Sequence, residues 1–184
     1  MSLQIIETGL KGLVVIKPEV FRDNRGYFFE SFNLSEIKKA GIEFNPVQDN
    51  ESKSSFGVVR GLHYQLEPYA QSKLIRVIEG KIFDVAVDIR KKSPTFGKWF
   101  GIELDSDTKD QLFIPKGFAH GFSVLSETAV IQYKCDNFYN REYERGILLS
   151  DPYLGIDWKL GSSKPIMSAK DISQPNFDKA EMNF

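Results

Sequence analysis

The sequence predicts an all-β domain, a sandwich or barrel of many short strands. Nine apolar or aromatic runs of strand length alternate with glycine, proline and polar turns. Aromatic residues are abundant, with 15 Phe, 7 Tyr and 2 Trp, and these side chains favour pleated, half-buried surfaces. Only one segment carries a clear helix signal.

In chain order, Leu13–Lys17 is a β-branched run stopped by Pro18, and Tyr27–Phe32 is aromatic-rich. The helix spans Leu34–Ala40. Asn33 suits its N-cap, Glu36 completes a capping-box pattern and Gly41 suits C′. Strands follow at Val58–Gln65, Leu74–Glu79 and Ile82–Ile89, with Gly80-Lys81 as a tight turn between the last two. In Ile82–Ile89, Phe83, Val85, Val87 and Ile89 alternate with Asp84, Ala86 and Asp88, which predicts one buried face. Trp99–Leu104, Gln111–Ile114, Phe118–Leu125 and Ala129–Cys135 complete the strands. Residues 146–184 contain Pro152, Gly155, Gly161, Pro165 and Pro175, so this tail reads as loop or short helix wrapping the β core.

At 184 residues, with 41% hydrophobic and 27% charged residues, the chain fits one domain spanning 1–184. A net charge of −1 gives no general attraction to nucleic acid or anionic membrane. Cys135 is the single cysteine, which excludes an intrachain disulfide. No apolar run reaches the roughly 20 residues of a spanning helix, and Met1–Gly9 lacks a signal-peptide core. A cytoplasmic protein is expected.

There are only two histidines, each in a polar-aromatic motif: Arg60-Gly61-Leu62-His63-Tyr64-Gln65 and Ile114–Phe122, which holds His120. Histidine serves both proton transfer and metal binding. The segment Pro115-x-Gly117-x-x-His120 resembles the second motif of the cupin superfamily, a jelly-roll β-barrel. A cupin metal site usually has His-x-His and a nearby Glu, whereas here His63-Tyr64-Gln65 puts an amide in place of the second imidazole. Gln65 is a poor transition-metal ligand. Two histidines fall short of the three protein ligands of a catalytic zinc site, so no metal is expected.

A longer ordered series is more specific. It comprises Phe21–Phe32, Val47–Asn50, Val59–Gln65, Gln71–Leu74, Phe83–Asp88, Ser93–Gly97, Ile114–Phe122 and Tyr133–Cys135. It closes with Asp151-Pro152, Gly155–Trp158 and Ser168–Asp171. Over about residues 5 to 171 the chain resembles the dTDP-4-dehydrorhamnose 3,5-epimerase family. The resemblance implies inversion of C3 and C5 of dTDP-4-dehydro-6-deoxy-D-glucose to give dTDP-4-dehydro-L-rhamnose, a precursor for cell-surface polysaccharide. It also implies no cofactor, and a homodimer of jelly rolls whose N-terminal strands cross to the partner.

Both inverted carbons flank the C4 ketone, so the reaction needs a base, a stabiliser at the C4 oxygen and an acid on the other face. The resemblance makes His63 the base and Asp171 its paired carboxylate, which fixes the tautomer. It makes Lys73 the enolate stabiliser and Tyr133 the acid. Arg25 and Arg60 can grip phosphate oxygens in a bidentate fork. Glu30, Gln48, Asp49 and Asn50 match nucleotide-binding residues, and His120, Glu144 and Lys170 match further substrate contacts. Phe28 and Tyr139 are candidate walls around base and sugar.

Strict alternation sets Arg60 and His63 on opposite faces of a strand. Gly61 marks a bulge, or Arg60 serves a different part of the site or a neighbouring subunit. Lys116 stands where the family commonly has glutamate, and Phe138 where it commonly has tyrosine. The rival readings are an enzyme of the same fold inverting only C3 or only C5, a metal-dependent cupin oxygenase, and a non-catalytic sugar-binding cupin.

Overall fold

The computed structural model describes residues 3–184. The chain runs β1 (Leu3–Glu7), β2 (Val14–Pro18), β3 (Phe21–Asp23), β4 (Gly26–Phe28), α1 (Leu34–Lys39), β5 (Gln48–Ser55) and β6 (Val59–Gln65). It continues with β7 (Lys73–Glu79), β8 (Lys81–Asp88), β9 (Trp99–Asp105), β10 (Gln111–Ile114), β11 (Phe118–Val124), β12 (Thr128–Cys135), β13 (Glu144–Gly146) and α2 (Ala169–Ile172). The strands form a six-stranded sheet, β1-β2-β10-β7-β12-β5, and a five-stranded sheet, β13-β6-β11-β8-β9. β3 and β4 pair as a separate hairpin. All pairings between these strands are antiparallel. The architecture is the two-sheet sandwich that the strand pattern predicts and the jelly roll that the resemblance implies.

Three apolar layers hold it together. Between the sheets, Val15, Ile75, Leu112 and Ile131 of one meet Ile82, Leu104, Phe118 and Phe122 of the other. Outside the six-stranded sheet, Val14, Ile16, Leu74 and Phe113 pack under Ile37, Ile42 and Phe44 from α1 and the loop after it. Outside the five-stranded sheet, Leu62, Tyr64, Val85 and Val87 are covered by Ile147, Leu154, Trp158 and Phe177 of the tail. Each fully buried aliphatic side chain contributes about 1.5–3 kcal/mol against exposure.

The third layer corrects the reading of β8. Its alternation is real, but both faces are buried: Phe83, Val85 and Val87 lie under the tail, and Ile82 and Ala86 face the interior. Asp84 and Asp88 are fully buried too, each with a cationic or imidazole partner. Gly80 is likewise not a hairpin turn. β7 pairs with β10 and β12, whereas β8 pairs with β9 and β11. Gly80, at φ +80, turns the chain from one sheet to the other, where a Cβ would run into the Thr128 carbonyl.

The helix α1 sits where the sequence predicts it. The Asn33 side chain accepts from the Ser35 and Glu36 amides, and Gly41 follows at φ +79. Glu36 turns to Lys39 at 2.7 Å, so only half of the capping box forms. The aromatic run Tyr27–Phe32 is strand only through Phe28. β1, β3, β5 and β13 carry no strong apolar pattern and escape the sequence reading. β5, Gln-Asp-Asn-Glu-Ser-Lys-Ser-Ser, is a polar edge strand paired along one side by β12. No described helix is long and apolar enough to cross a membrane.

Candidate active site

The site forms where the inner faces of both sheets open at one end of the barrel. His63 and Gln65 enter from β6, Lys73 from β7, Gln48 and Asn50 from β5, Tyr133 from β12 and Glu144 from β13. With Gln71 and Tyr139 they line a cavity of about 270 Å³. A second cavity of about 340 Å³ includes Arg60, His63, Ser168, Lys170 and Asp171 in its wall. His63 is common to both.

The parity conflict between Arg60 and His63 resolves as a bulge. His120 pairs with His63 and Phe122 with Arg60, so Gly61 and Leu62 together oppose Gly121 alone. The extra residue restores both side chains to one face. Gly61 has φ +129, and a Cβ there would meet Gly121 Cα at 2.5 Å. Only glycine fits so close a backbone approach. Arg60 Nε then donates to Ser54 Oγ at 3.1 Å.

His63 Nε2 lies 2.6 Å from Asp171 Oδ1. With Nε2–H donated to the carboxylate, Nδ1 carries the lone pair of the neutral ring. Asp171 arrives from the tail and is itself held. Its amide donates to Ser168 Oγ at 3.1 Å, and Ser168 Oγ–H donates to Asp171 Oδ2 at 2.8 Å. Burial works to raise the Asp171 pKa, but the bonds from His63 and Ser168 outweigh it and hold the carboxyl below its ordinary value. Ser168 has no role in the sequence reading. Its signal was the Ser-x-x-Asp spacing of a capping motif.

Lys73 and Cys135 are cross-strand neighbours, with Tyr133 two residues along β12. Lys73 Nζ lies 6.0 Å from the Tyr133 ring centroid. Burial lowers the Lys73 pKa, while Cys135, Asp84 and Glu144 oppose the shift. Burial raises the Tyr133 phenol, with Arg60 opposing, so its proton is retained at neutral pH. Burial also pushes the Cys135 thiol up to about 11, which keeps it an un-ionised wall residue.

Around this centre, Tyr139 OH donates to Glu144 Oε2 at 2.7 Å, and Lys170 pairs with Glu144 Oε1. Gln48 accepts from the Tyr139 amide at 3.0 Å and donates to Asn50 Oδ1 at 3.0 Å. Asp49 points away from the cavity and pairs with Lys134 at 2.6 Å, as alternation on β5 requires. His120 lies opposite His63 but is buried, with Nε2 2.7 Å from Asp84 Oδ1, and is not part of either cavity wall.

Three of the candidates lie elsewhere. Arg25 and Phe28 sit on the β3–β4 hairpin and line a separate surface cleft of about 310 Å³. Arg25 is highly exposed and paired with Asp23, Phe28 is exposed, and Glu30 accepts from Asn33 Nδ2 at 3.2 Å. The hairpin is fastened to its own chain by Lys109 Nζ, 4.0 Å from the Tyr27 ring centroid, and by Arg22 donating to the Asp107 carbonyl.

A family model for dTDP-4-dehydrorhamnose 3,5-epimerase matches residues 7–179. A Shigella flexneri dTDP-4-dehydrorhamnose 3,5-epimerase is 52% identical over 180 residues, 97% of this chain and 98% of the relative. The crystal structure of the Elizabethkingia anophelis NUHP1 enzyme of that name superposes with a TM-score of 0.93 at 49% identity, covering 98% of this chain and 100% of the other. A Legionella pneumophila dTDP-6-deoxy-D-glucose-3,5-epimerase, solved with dTDP-4-keto-L-rhamnose, superposes at 0.92 with 47% identity, covering 96% and 94%. The jelly roll and these matches agree: the chain belongs to the dTDP-4-dehydrorhamnose 3,5-epimerase family.

Proposed function

We propose that this chain converts dTDP-4-dehydro-6-deoxy-D-glucose to dTDP-4-dehydro-L-rhamnose by inverting C3 and C5. The observation that carries the reading is the placement of His63 and Tyr133, which enter one cavity from opposite sheets with Lys73 beside Tyr133. A base and an acid facing each other across a ring are what inversion next to a ketone requires.

His63 Nδ1 takes the proton from the carbon beside the C4 ketone. The electron pair moves onto the C4 oxygen, where the Lys73 ammonium stabilises the enolate. Tyr133 O–H returns a proton to the other face. Each inversion leaves His63 with one proton more and Tyr133 with one fewer, and solvent restores both. Asp171 keeps the imidazole in the required tautomer and stabilises its charged form. No electron is gained or lost overall, so the scheme needs no redox cofactor.

Arg60 and Lys170 supply cations for the diphosphate, and Tyr139 with Gln48, Asn50 and Glu144 bounds the nucleotide sugar. Asp49 is turned outward with Lys134, so it contributes to the binding strand through its backbone. Arg25, Phe28 and Glu30 complete the site of a second copy in a homodimer. An exposed hairpin bearing a cation and an aromatic ring supports that assignment. We place the reaction in the cytoplasm.

Incubating the enzyme with the authentic keto sugar in deuterium oxide tests the reaction. Label is expected at both C3 and C5. Exchange at one carbon only would make the protein a mono-epimerase.

A further inference from the structure

Gln65 occupies the position at which a metal-binding cupin has its second imidazole, and the fold gives its amide another task. The side chain is buried, and its bonds run to backbone beyond its own strand. Nε2 donates to the Tyr69 carbonyl at 2.7 Å and to the Phe138 carbonyl at 3.2 Å. Oε1 accepts from the Asn140 amide at 2.6 Å. Both N–H groups and the carbonyl are therefore engaged, and the Phe138 and Asn140 contacts bracket Tyr139.

Tyr139 is held by two further groups. Its amide donates to Gln48 Oε1 and its hydroxyl to Glu144 Oε2. Glu144 is the register partner of Gln65 across the β6–β13 pair. One rung of the five-stranded sheet thus fixes the backbone flanking Tyr139 and its phenol together. The same rung lies two residues from His63 on the same face of β6.

We infer that Gln65 is a positioning residue for nucleotide-sugar binding: it clamps the Phe138–Asn140 segment so that the Tyr139 ring forms one wall of the cavity that His63 enters. This rests on the proposed nucleotide-sugar function. It also gives the His-x-Gln spacing a physical reason. An imidazole at position 65 has two ring nitrogens and cannot satisfy two carbonyls and one amide at once, whereas a glutamine amide can.

Gln65→Glu keeps the shape and the acceptor for Asn140, but it removes both donors and sets a carboxylate oxygen against two carbonyls. KM for the keto sugar and Kd for dTDP are expected to rise about tenfold. kcat is expected to stay within about threefold, with an unchanged pH profile, because His63, Lys73 and Tyr133 are untouched. Lowering the pH protonates the introduced carboxylate, restores one donor and is expected to narrow the gap from the unmodified enzyme. The deciding measurement is a double-mutant cycle on dTDP affinity. Once Tyr139→Ala has removed the wall, adding Gln65→Glu should weaken binding by less than about twofold. Fully additive losses, or a fall in kcat at constant KM, would overturn the inference while leaving the function standing. If Gln65→Glu does not fold, Gln65→Met gives the same cycle without the charge. Failure of the unmodified enzyme to bind dTDP would overturn function and inference together.

Discussion

Two histidine–aspartate pairs lie side by side on neighbouring strands, and only one is exposed to a cavity. Both have imidazole Nε2 on a carboxylate Oδ1, at 2.6 Å for His63–Asp171 and 2.7 Å for His120–Asp84. The His63 side chain is 31% exposed, and its carboxylate comes from the distant tail. The His120 side chain is 9% exposed, and Asp84 is fully buried on the adjacent strand. Asp84 Oδ2 has no hydrogen-bond partner among the described residues. A dyad alone therefore does not define a base. The free imidazole nitrogen must face a space that substrate can enter, and the carboxylate must be satisfied elsewhere so that it stays ionised. Ser168 does this for Asp171.

The contrast is broken most directly by exchanging the losses. His63→Ala should lower kcat by about 10⁴-fold, the upper end for general acid–base catalysis, with little change in Tm. An active variant with normal C–H exchange would remove His63 as the base. Tyr133→Phe should cost about 10²-fold in turnover while leaving deuterium exchange measurable at the carbon that His63 deprotonates. Equal loss of exchange and turnover would show that Tyr133 does not act after proton removal.

His120→Ala should act mainly on stability. It leaves Asp84 buried with neither oxygen paired, which costs about 3 kcal/mol. Its Tm should fall further than that of His63→Ala, as read by thermal unfolding. The reverse order would mean that the buried His120–Asp84 pair contributes less to stability than the His63–Asp171 pair.

Asp171 gives the smallest and sharpest effect. Its folded pKa is depressed, so its contribution is complete above the unfolded value of roughly 3.9 and is lost as pH falls through the lower folded value. Asp171→Asn should flatten the acid limb of stability against pH, leaving less loss between neutral pH and about pH 3. An unchanged limb would place the acid sensitivity in Asp88 or Glu144, whose pKa values are depressed as well.

The sheets were legible because apolar periodicity reports burial, and the strands of the interior are apolar. β5 and β13 were not, because an edge strand is specified by its partner rather than by its own pattern. That His63, Lys73, Tyr133 and Asp171 belong to one neighbourhood was legible through the ordered series of motifs. What the residues did not reveal was direction. Asp49 and His120 sit in the right motifs, but one faces outward and the other is sealed against Asp84. Gln65 read as a defective ligand because its three partners lie on loops that no periodicity marks.

The tail that covers the five-stranded sheet is also the stretch of chain that carries Asp171. His63 and Asp171 are 108 residues apart in sequence, and the span between them includes most of the barrel. The pair is therefore a long-range contact, carried by the same tail whose Ile147, Trp158 and Phe177 pack on the outer face. A chain whose tail is undocked would hold the histidine without its carboxylate. Turnover is thus expected to report on tail docking, and activity recovered during refolding should not precede the docking of that tail.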